Sequence, residues 1–261
     1  MSRIKLAIAQ TNIEYLAFEK NFSKGKFLIQ QAAERHADGI IFPEMSFTGF
    51  SMNTEYTSFY GKRTLSAMKH LAADMHIAIG FGWVCSLKSG LAENHYTFVG
   101  PDGAILLDYV KIHPFSYAGE DRLFSSGTSL PIASLDGFPF RCVICYDLRF
   151  PELMRTRPEE AAAIFVPANW PEKRSAHWKV LLQARAIENQ MYIIGVNCVG
   201  MQDGLVYSGD SMVIAPDGTI LLDCKNQDGL FFIMLDQDIV TSSRESFPAL
   251  RDRKTRLYHS L

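Results

Sequence analysis

One stretch of this chain occurs twice. Phe98-Val-Gly-Pro-Asp-Gly-Ala-Ile-Leu-Leu-Asp108 returns 115 residues later as Val213-Ile-Ala-Pro-Asp-Gly-Thr-Ile-Leu-Leu-Asp223. In each copy proline presets the first bend, glycine admits positive φ, and apolar runs flank the turn, so each predicts a β-hairpin. Upstream of both hairpins strand-like and helix-like spacing alternate. In the first half, strands are expected at Ile4–Gln10, Gly39–Phe42 and Ile77–Val84, and helices at Lys20–His36 and Thr64–Met75; Ser46–Tyr60 reads as a loop. In the second, Phe138–Cys145, Ala162–Val166 and Tyr192–Asn197 read as strands, with helices at Pro151–Thr156 and Ala176–Gln190. No Pro/Ser-rich linker separates the halves. The expectation is an α/β chain, residues 1–261 as one domain, with two sheets face to face and helices outside.

A chain of 261 residues, 48% apolar, can bury a full core without staples. Its 26 basic and 28 acidic side chains leave a net charge of −2 with no basic run, which argues against a nucleic-acid partner. The most apolar uncharged stretch, Ile77–Leu87, has about half the ~20 residues a membrane span needs. The N-terminus reads as a first strand, not a signal peptide. With five cysteines and no export signal, reduced thiols in the cytoplasm are expected. The polar segment Ser242–Leu261 is expected to be extended.

Cys142-Val-Ile-Cys145 has the spacing of a metal or dithiol pair. It falls in a strand-like run, where residues three apart face opposite ways, and no second such pair exists, so no metal is expected. No glycine-rich phosphate loop is present, so no nucleotide cofactor is expected either. Cys85, Cys142, Cys198 and Cys224 read as packing residues. Cys145 differs: it stands where a strand ends and Tyr146-Asp-Leu-Arg-Phe-Pro151 opens a helix. A thiol at such an elbow projects from the sheet edge, where backbone N–H groups and the helix dipole would favour its thiolate. Two other strand ends carry charge: Glu44 after Gly39-Ile-Ile-Phe-Pro, and Lys111 after Leu106-Leu-Asp-Tyr-Val.

Together these strand ends resemble the nitrilase superfamily, the carbon–nitrogen hydrolases. The resemblance runs through Phe-Pro-Glu44-Met-Ser-Phe-Thr-Gly49, Tyr-Val-Lys111-Ile-His, Cys-Val-Ile-Cys145-Tyr-Asp-Leu-Arg-Phe-Pro151-Glu and Ala168-Asn-Trp-Pro, then His177-Trp and Gln183-Ala-Arg-Ala-Ile-Glu-Asn189. It implies a four-layer α-β-β-α sandwich with internal pseudo-two-fold symmetry, and a triad of Glu44, Lys111 and Cys145. A second glutamate is implied after the lysine: Glu120 is the best match, with Glu93 and Asp121 as weaker substitutes. It also implies homodimers or higher oligomers, with the tail from about 242 to 261 at the interface.

The chemistry so implied is amide hydrolysis through a cysteine thioester. Glu44 takes the thiol proton, Cys145 attacks the amide carbon, and Lys111 with the backbone N–H of Tyr146 holds the oxyanion. The motif wording is most similar to the ω-amidase branch, whose substrates are short α-keto acid monoamides; deaminated glutathione amidases and nitrilases are the alternatives. An anionic substrate needs a cationic clamp, for which Arg174 and Arg149 are candidates. Arg149 equally fits a structural ion pair. Asn169 belongs to the expected binding residues, and Trp170 and Phe50 suit either a pocket wall or the core. A papain-like reading would instead pair Cys145 with His113 or His177; a Glu–Lys–Cys enzyme is expected to tolerate loss of either histidine.

Overall fold

The structure is a computed structural model that describes residues 2–258 and residue 260. The first half runs β1 (Arg3–Gln10), α1 (Phe18–Glu34), β2 (Gly39–Ile41), α2 (Thr54–Phe59), α3 (Gly61–Met75), β3 (Ala78–Ser86), β4 (Ala92–Val99) and β5 (Ile105–Val110). β6 (Ala133–Leu135) and β7 (Phe138–Cys142) lead into α4 (Pro151–Met154), β8 (Ala163–Ala168), α5 (Ser175–Asn189) and β9 (Tyr192–Asn197). The ribbon β10 (Val199–Gln202) and β11 (Leu205–Ser208) comes next, then β12 (Met212–Ile214), β13 (Ile220–Asp223) and β14 (Gly229–Asp236), and finally α6 (Gln237–Ser246) and α7 (Thr255–Tyr258).

Among the described residues twelve of these strands form two six-stranded sheets, ordered β14-β1-β2-β3-β4-β5 and β13-β12-β9-β8-β7-β6, and β10 pairs with β11 apart from them. In the first, β1, β2 and β3 are parallel, and β4 and β5 follow antiparallel. The second repeats this with β7, β8 and β9 parallel and β12 and β13 antiparallel. The repeated hairpins correspond even in their irregularity, a register shift between Phe98 and Val99 in one copy and between Val213 and Ile214 in the other. In both the aspartate caps the turn, accepting from Ala104 N–H and Thr219 N–H at 2.9 Å, and the glycine has positive φ, 78° at Gly103 and 89° at Gly218.

The sheets face each other across an apolar layer. Phe98 of the first lies 4.8 Å from Phe140 and 4.9 Å from Phe165 of the second, centroid to centroid. The helices α1 and α3 seal the outer face of the first sheet through Phe22, Ile29, Met68 and Ala72, and α5 covers the second through Trp178, Leu182 and Ala186. The result is the expected α-β-β-α sandwich. No helix among the described residues is long and apolar enough to cross a membrane.

Local departures from the expected elements have local causes. The stretch 46–60 is not all loop, because Asn53 caps a helix over Thr54–Phe59, accepting from Tyr56 N–H at 3.0 Å. The strand expected to reach Cys145 stops at Cys142. The tail is not extended throughout: Asp236 caps α6 by accepting from Asp238 N–H, and Arg244 donates to the carbonyls of Pro158, Ala161 and Gln190, anchoring that helix to the body. His259 and Leu261, part of the expected extended tail, lie outside the described residues.

Candidate active site

In the first sheet β2 runs parallel to β1 and in the second β7 runs parallel to β8, and hydrogen bonds from Asn169 to Glu44 bring the carboxyl ends of β8 and β2 to one opening. Glu44 follows β2, Lys111 follows β5, Cys145 follows β7 and Asn169 follows β8. Two sharp turns aim the first and third. Met45, beside Glu44, and Cys145 both have left-handed backbones, with φ of 43° and 46°. A non-glycine residue holds that conformation only where its surroundings impose it. Gly82 allows the Glu44 turn to lie against β3, since a Cβ there would fall 2.3 Å from Met45 N.

Lys111 Nζ donates to Glu44 Oε1 at 2.8 Å and to Glu120 Oε2 at 2.9 Å, and all three residues are at most 1% exposed. Of the candidates for the second glutamate, Glu120 is therefore the one that reaches the lysine. Glu93 bonds His95 elsewhere on β4, and Asp121 is exposed. Burial works to deprotonate Lys111, but the charges of Glu120 and Glu44 outweigh it and raise its pKa, so the ammonium persists. A unit pair at ~4 Å is worth about 4 kcal/mol at an effective dielectric of 20, enough to offset such burial.

Glu44 is fixed at both oxygens. Oε1 also accepts from Asn94 Nδ2 at 2.9 Å, and Oε2 accepts from Asn169 N–H at 3.0 Å. Cys145 Sγ lies 3.9 Å from Asn169 O, so the peptide groups of one residue touch both the carboxylate and the thiol. Burial, and then the charge of Glu44, push the Cys145 thiol well above its ordinary range despite Lys111. The elbow is a short 3-10 turn, Cys145–Arg149, and the thiolate it was expected to favour is opposed by burial and by the charge of Glu44. The first bond of that turn runs from Asp147 N–H to Ile144 O at 3.0 Å, so the Tyr146 N–H lies ahead of the bonded turn.

Above this cluster is a cavity of about 230 Å³. Phe50, Tyr146 and Trp170 line it, as do Phe115, Tyr117, Tyr207 and the cations Arg149, Lys173 and Arg174. Arg149 packs over Trp170 and Arg174 over Phe115, with guanidinium-to-centroid distances of 4.6 and 5.4 Å. Among the described residues no carboxylate lines the cavity and none pairs with these three cations. The ion pair considered for Arg149 is thus not formed. Its neighbour is His177 Nδ1, at 3.4 Å. Burial, then the like charge of Arg174, lower the Arg149 pKa.

Neither histidine of the papain-like reading bonds Cys145. His113 donates to Asp147 and stacks on Phe150, and His177 faces Arg149. The Asn169 side chain is engaged in support, donating to Glu44 O at 2.7 Å and accepting from Gln202 Nε2 at 3.1 Å.

A sequence model described as "Carbon-nitrogen hydrolase" matches residues 5–245. The chain belongs to the carbon–nitrogen hydrolase family. It is similar to the 2-oxoglutaramate amidase of Bacillus subtilis, with 32% identity over 97% of this chain and 98% of that one. It is 34% identical to Omega-amidase YafV of Yersinia enterocolitica over 97% of each. The deaminated glutathione amidase of Dictyostelium discoideum is 30% identical over 92% of this chain and 90% of its own. Among solved structures, XC1258 of Xanthomonas campestris, a CN-hydrolase superfamily protein with an arsenic adduct in its active site, superposes with a TM-score of 0.92. It is 27% identical, with 97% of this chain and 98% of that one covered. The chemistry of that family is hydrolysis of carbon–nitrogen bonds.

Several residues around the site were not foreseen. Lys173 stands beside Arg174 and Asp147 within the Cys145 motif, yet nothing in those short segments marks them for the cavity or the elbow, and Asn94 and Tyr207 reach the site only through contacts made across the fold. The strand period did hold a trace of Asn94: on β4 it faces oppositely to Glu93 and His95.

Proposed function

We propose that the chain is an ω-amidase, releasing ammonia from the terminal amide of a short α-keto acid monoamide such as 2-oxoglutaramate. The observation that carries the reading is the pair of guanidiniums, Arg149 and Arg174, facing an acid-free cavity that also holds Lys173. Their mutual repulsion is relieved by an anion, and the far carboxylate of such a substrate supplies one. The cavity, about 230 Å³, lies below the roughly 300–1,000 Å³ of drug-sized sites, which favours a small acid over a glutathione derivative. The relatives named 2-oxoglutaramate amidase and Omega-amidase support the same substrate class.

In this reading Cys145 starts as a thiol and needs a base. Glu44 accepts its proton as sulfur attacks the amide carbon. Lys111 and the Tyr146 N–H stabilise the oxyanion, and Glu44 then protonates the departing nitrogen so that ammonia leaves. Water, deprotonated by Glu44, cleaves the thioester to the acid and restores the thiol. Glu120 holds Lys111 in its charged form. We also propose a homodimer, supported by the exposed apolar residues Val180 and Ile187 of α5, Ile239 of α6, and Phe247. Five free cysteines support a reducing, cytoplasmic setting.

An ammonia-release screen over 2-oxoglutaramate, glutamine, deaminated glutathione and simple nitriles tests the substrate. Turnover of the keto acid amide at the highest kcat/KM is expected. Turnover of deaminated glutathione alone would replace this reading with the glutathione one.

A further inference from the structure

Asp147 is fully buried two residues after Cys145, and it takes no direct part in the proton transfers above. Its carboxylate accepts four hydrogen bonds. Oδ2 accepts from Ile144 N–H at 2.9 Å, in the elbow itself, and from the Tyr109 hydroxyl at 2.8 Å. Oδ1 accepts from His113 N–H at 2.9 Å and from His113 Nδ1 at 2.7 Å. Tyr109 and His113 lie two residues either side of Lys111. One carboxylate therefore ties the turn that carries the nucleophile, in the second sheet, to the strand end that carries the ammonium, in the first.

A buried carboxylate needs such compensation. Among the described residues its one basic partner at ion-pair distance is His113. Since a carboxylate only accepts, Nδ1 of His113 must carry a proton. The ring is held parallel to Phe150, 3.7 Å away, at the far end of the same elbow, so His113 touches the turn at two points.

We propose that Asp147, held by His113 and Tyr109, is a positioning residue that sets the Cys145 sulfur against the Lys111 ammonium. Neither Asp147 nor His113 exchanges a proton with substrate; both act through the geometry of the other two. This replaces the expectation that the enzyme tolerates loss of His113. The cysteine-amidase reading underlies only the turnover arm of the test, because alkylation of the thiol needs no substrate.

The test compares His113→Ala, His113→Asn, Asp147→Asn and the Asp147→Asn/His113→Ala double variant with the unaltered enzyme. In each, kcat and KM on an amide it turns over, the iodoacetamide alkylation rate of Cys145 (with Cys145→Ala as blank) and the folded fraction by circular dichroism are measured. His113→Ala is expected to lower kcat about 30-fold with KM within about threefold, since small misplacements of reacting groups cost this much. Alkylation is expected to slow as well. His113→Asn, which keeps a donor where Nδ1 stood, is expected to restore kcat to within about threefold. The double variant is expected to be no worse than Asp147→Asn alone, because both changes break one unit. Unchanged kcat and alkylation in His113→Ala would overturn the proposal. So would failure of His113→Asn to rescue, additive losses in the double variant, or a loss that merely follows the folded fraction.

Discussion

The two halves of the sandwich share strand order, hairpin and even the place where the hairpin bulges, yet they give the pocket opposite things. The first half supplies charge, in Glu44, Lys111 and Glu120, linked by direct hydrogen bonds. The second supplies the thiol, the Asn169 peptide that touches both thiol and base, and the cations of the rim. It also contains the ribbon β10–β11 between β9 and β12, where the first half passes directly from β3 to β4, and this ribbon brings Leu205 and Tyr207 to the cavity. A repeated backbone thus delivers two sets of strand ends to one opening, and unlike side chains on them make unlike partners for a single reaction.

The sharpest way to break this division of labour is to delete one member from each half. Cys145→Ala is expected to reduce turnover at least about 10⁴-fold and abolish any product burst, while leaving the melting temperature near that of the parent. Lys111→Met is expected to lose both, because it strands two buried carboxylates without a cation, a defect worth about 3–5 kcal/mol in denaturant titrations. Equal stability in the two variants would mean the first half is not held together by its charges. On the rim, Arg149→Ala and Arg174→Ala are each expected to raise KM for the keto acid amide about 10- to 100-fold, the value of a charge-assisted contact, with kcat changed much less. If KM in steady-state kinetics stays put, the anion does not sit between them.

The smallest effect compares the hairpins directly. Gly218→Ala meets the strain of a positive φ and the tip of the exposed Ile187 side chain, which can move. Gly103→Ala meets the same strain and, at 2.9 Å, the backbone carbonyl of Lys69 in α3, which cannot. Thermal unfolding should show a loss of about 1–2 kcal/mol at Gly218 and a larger one at Gly103. The reverse order would mean that the first hairpin is the more loosely seated.

How far the chain could be read in advance varied with how local the signal was. Strand order and hairpins were legible because alternation and Pro-Asp-Gly turns act over a few residues. The helix at Thr54–Phe59 was hidden inside an aromatic, polar segment because its main signal is one cap, Asn53. The helical part of the tail was missed because Arg244 stabilises it through carbonyls more than 50 residues away in the chain. In the site, Glu44, Lys111 and Cys145 stood out as chemically unusual ends of apolar strands, whereas Asn94 and Asp147 look ordinary until their partners are seen.

From sequence alone come the doubled α/β pattern and the identity of the residues that end its strands, because turn chemistry and apolar period are written in adjacent positions. Tertiary structure decided the rest: that Glu120 and not Glu93 meets the lysine, that burial beside Glu44 raises the pKa of the cysteine, and that Asp147 joins the two sheets. Burial and distance through space fix those outcomes, and neither is a property of any short segment of chain.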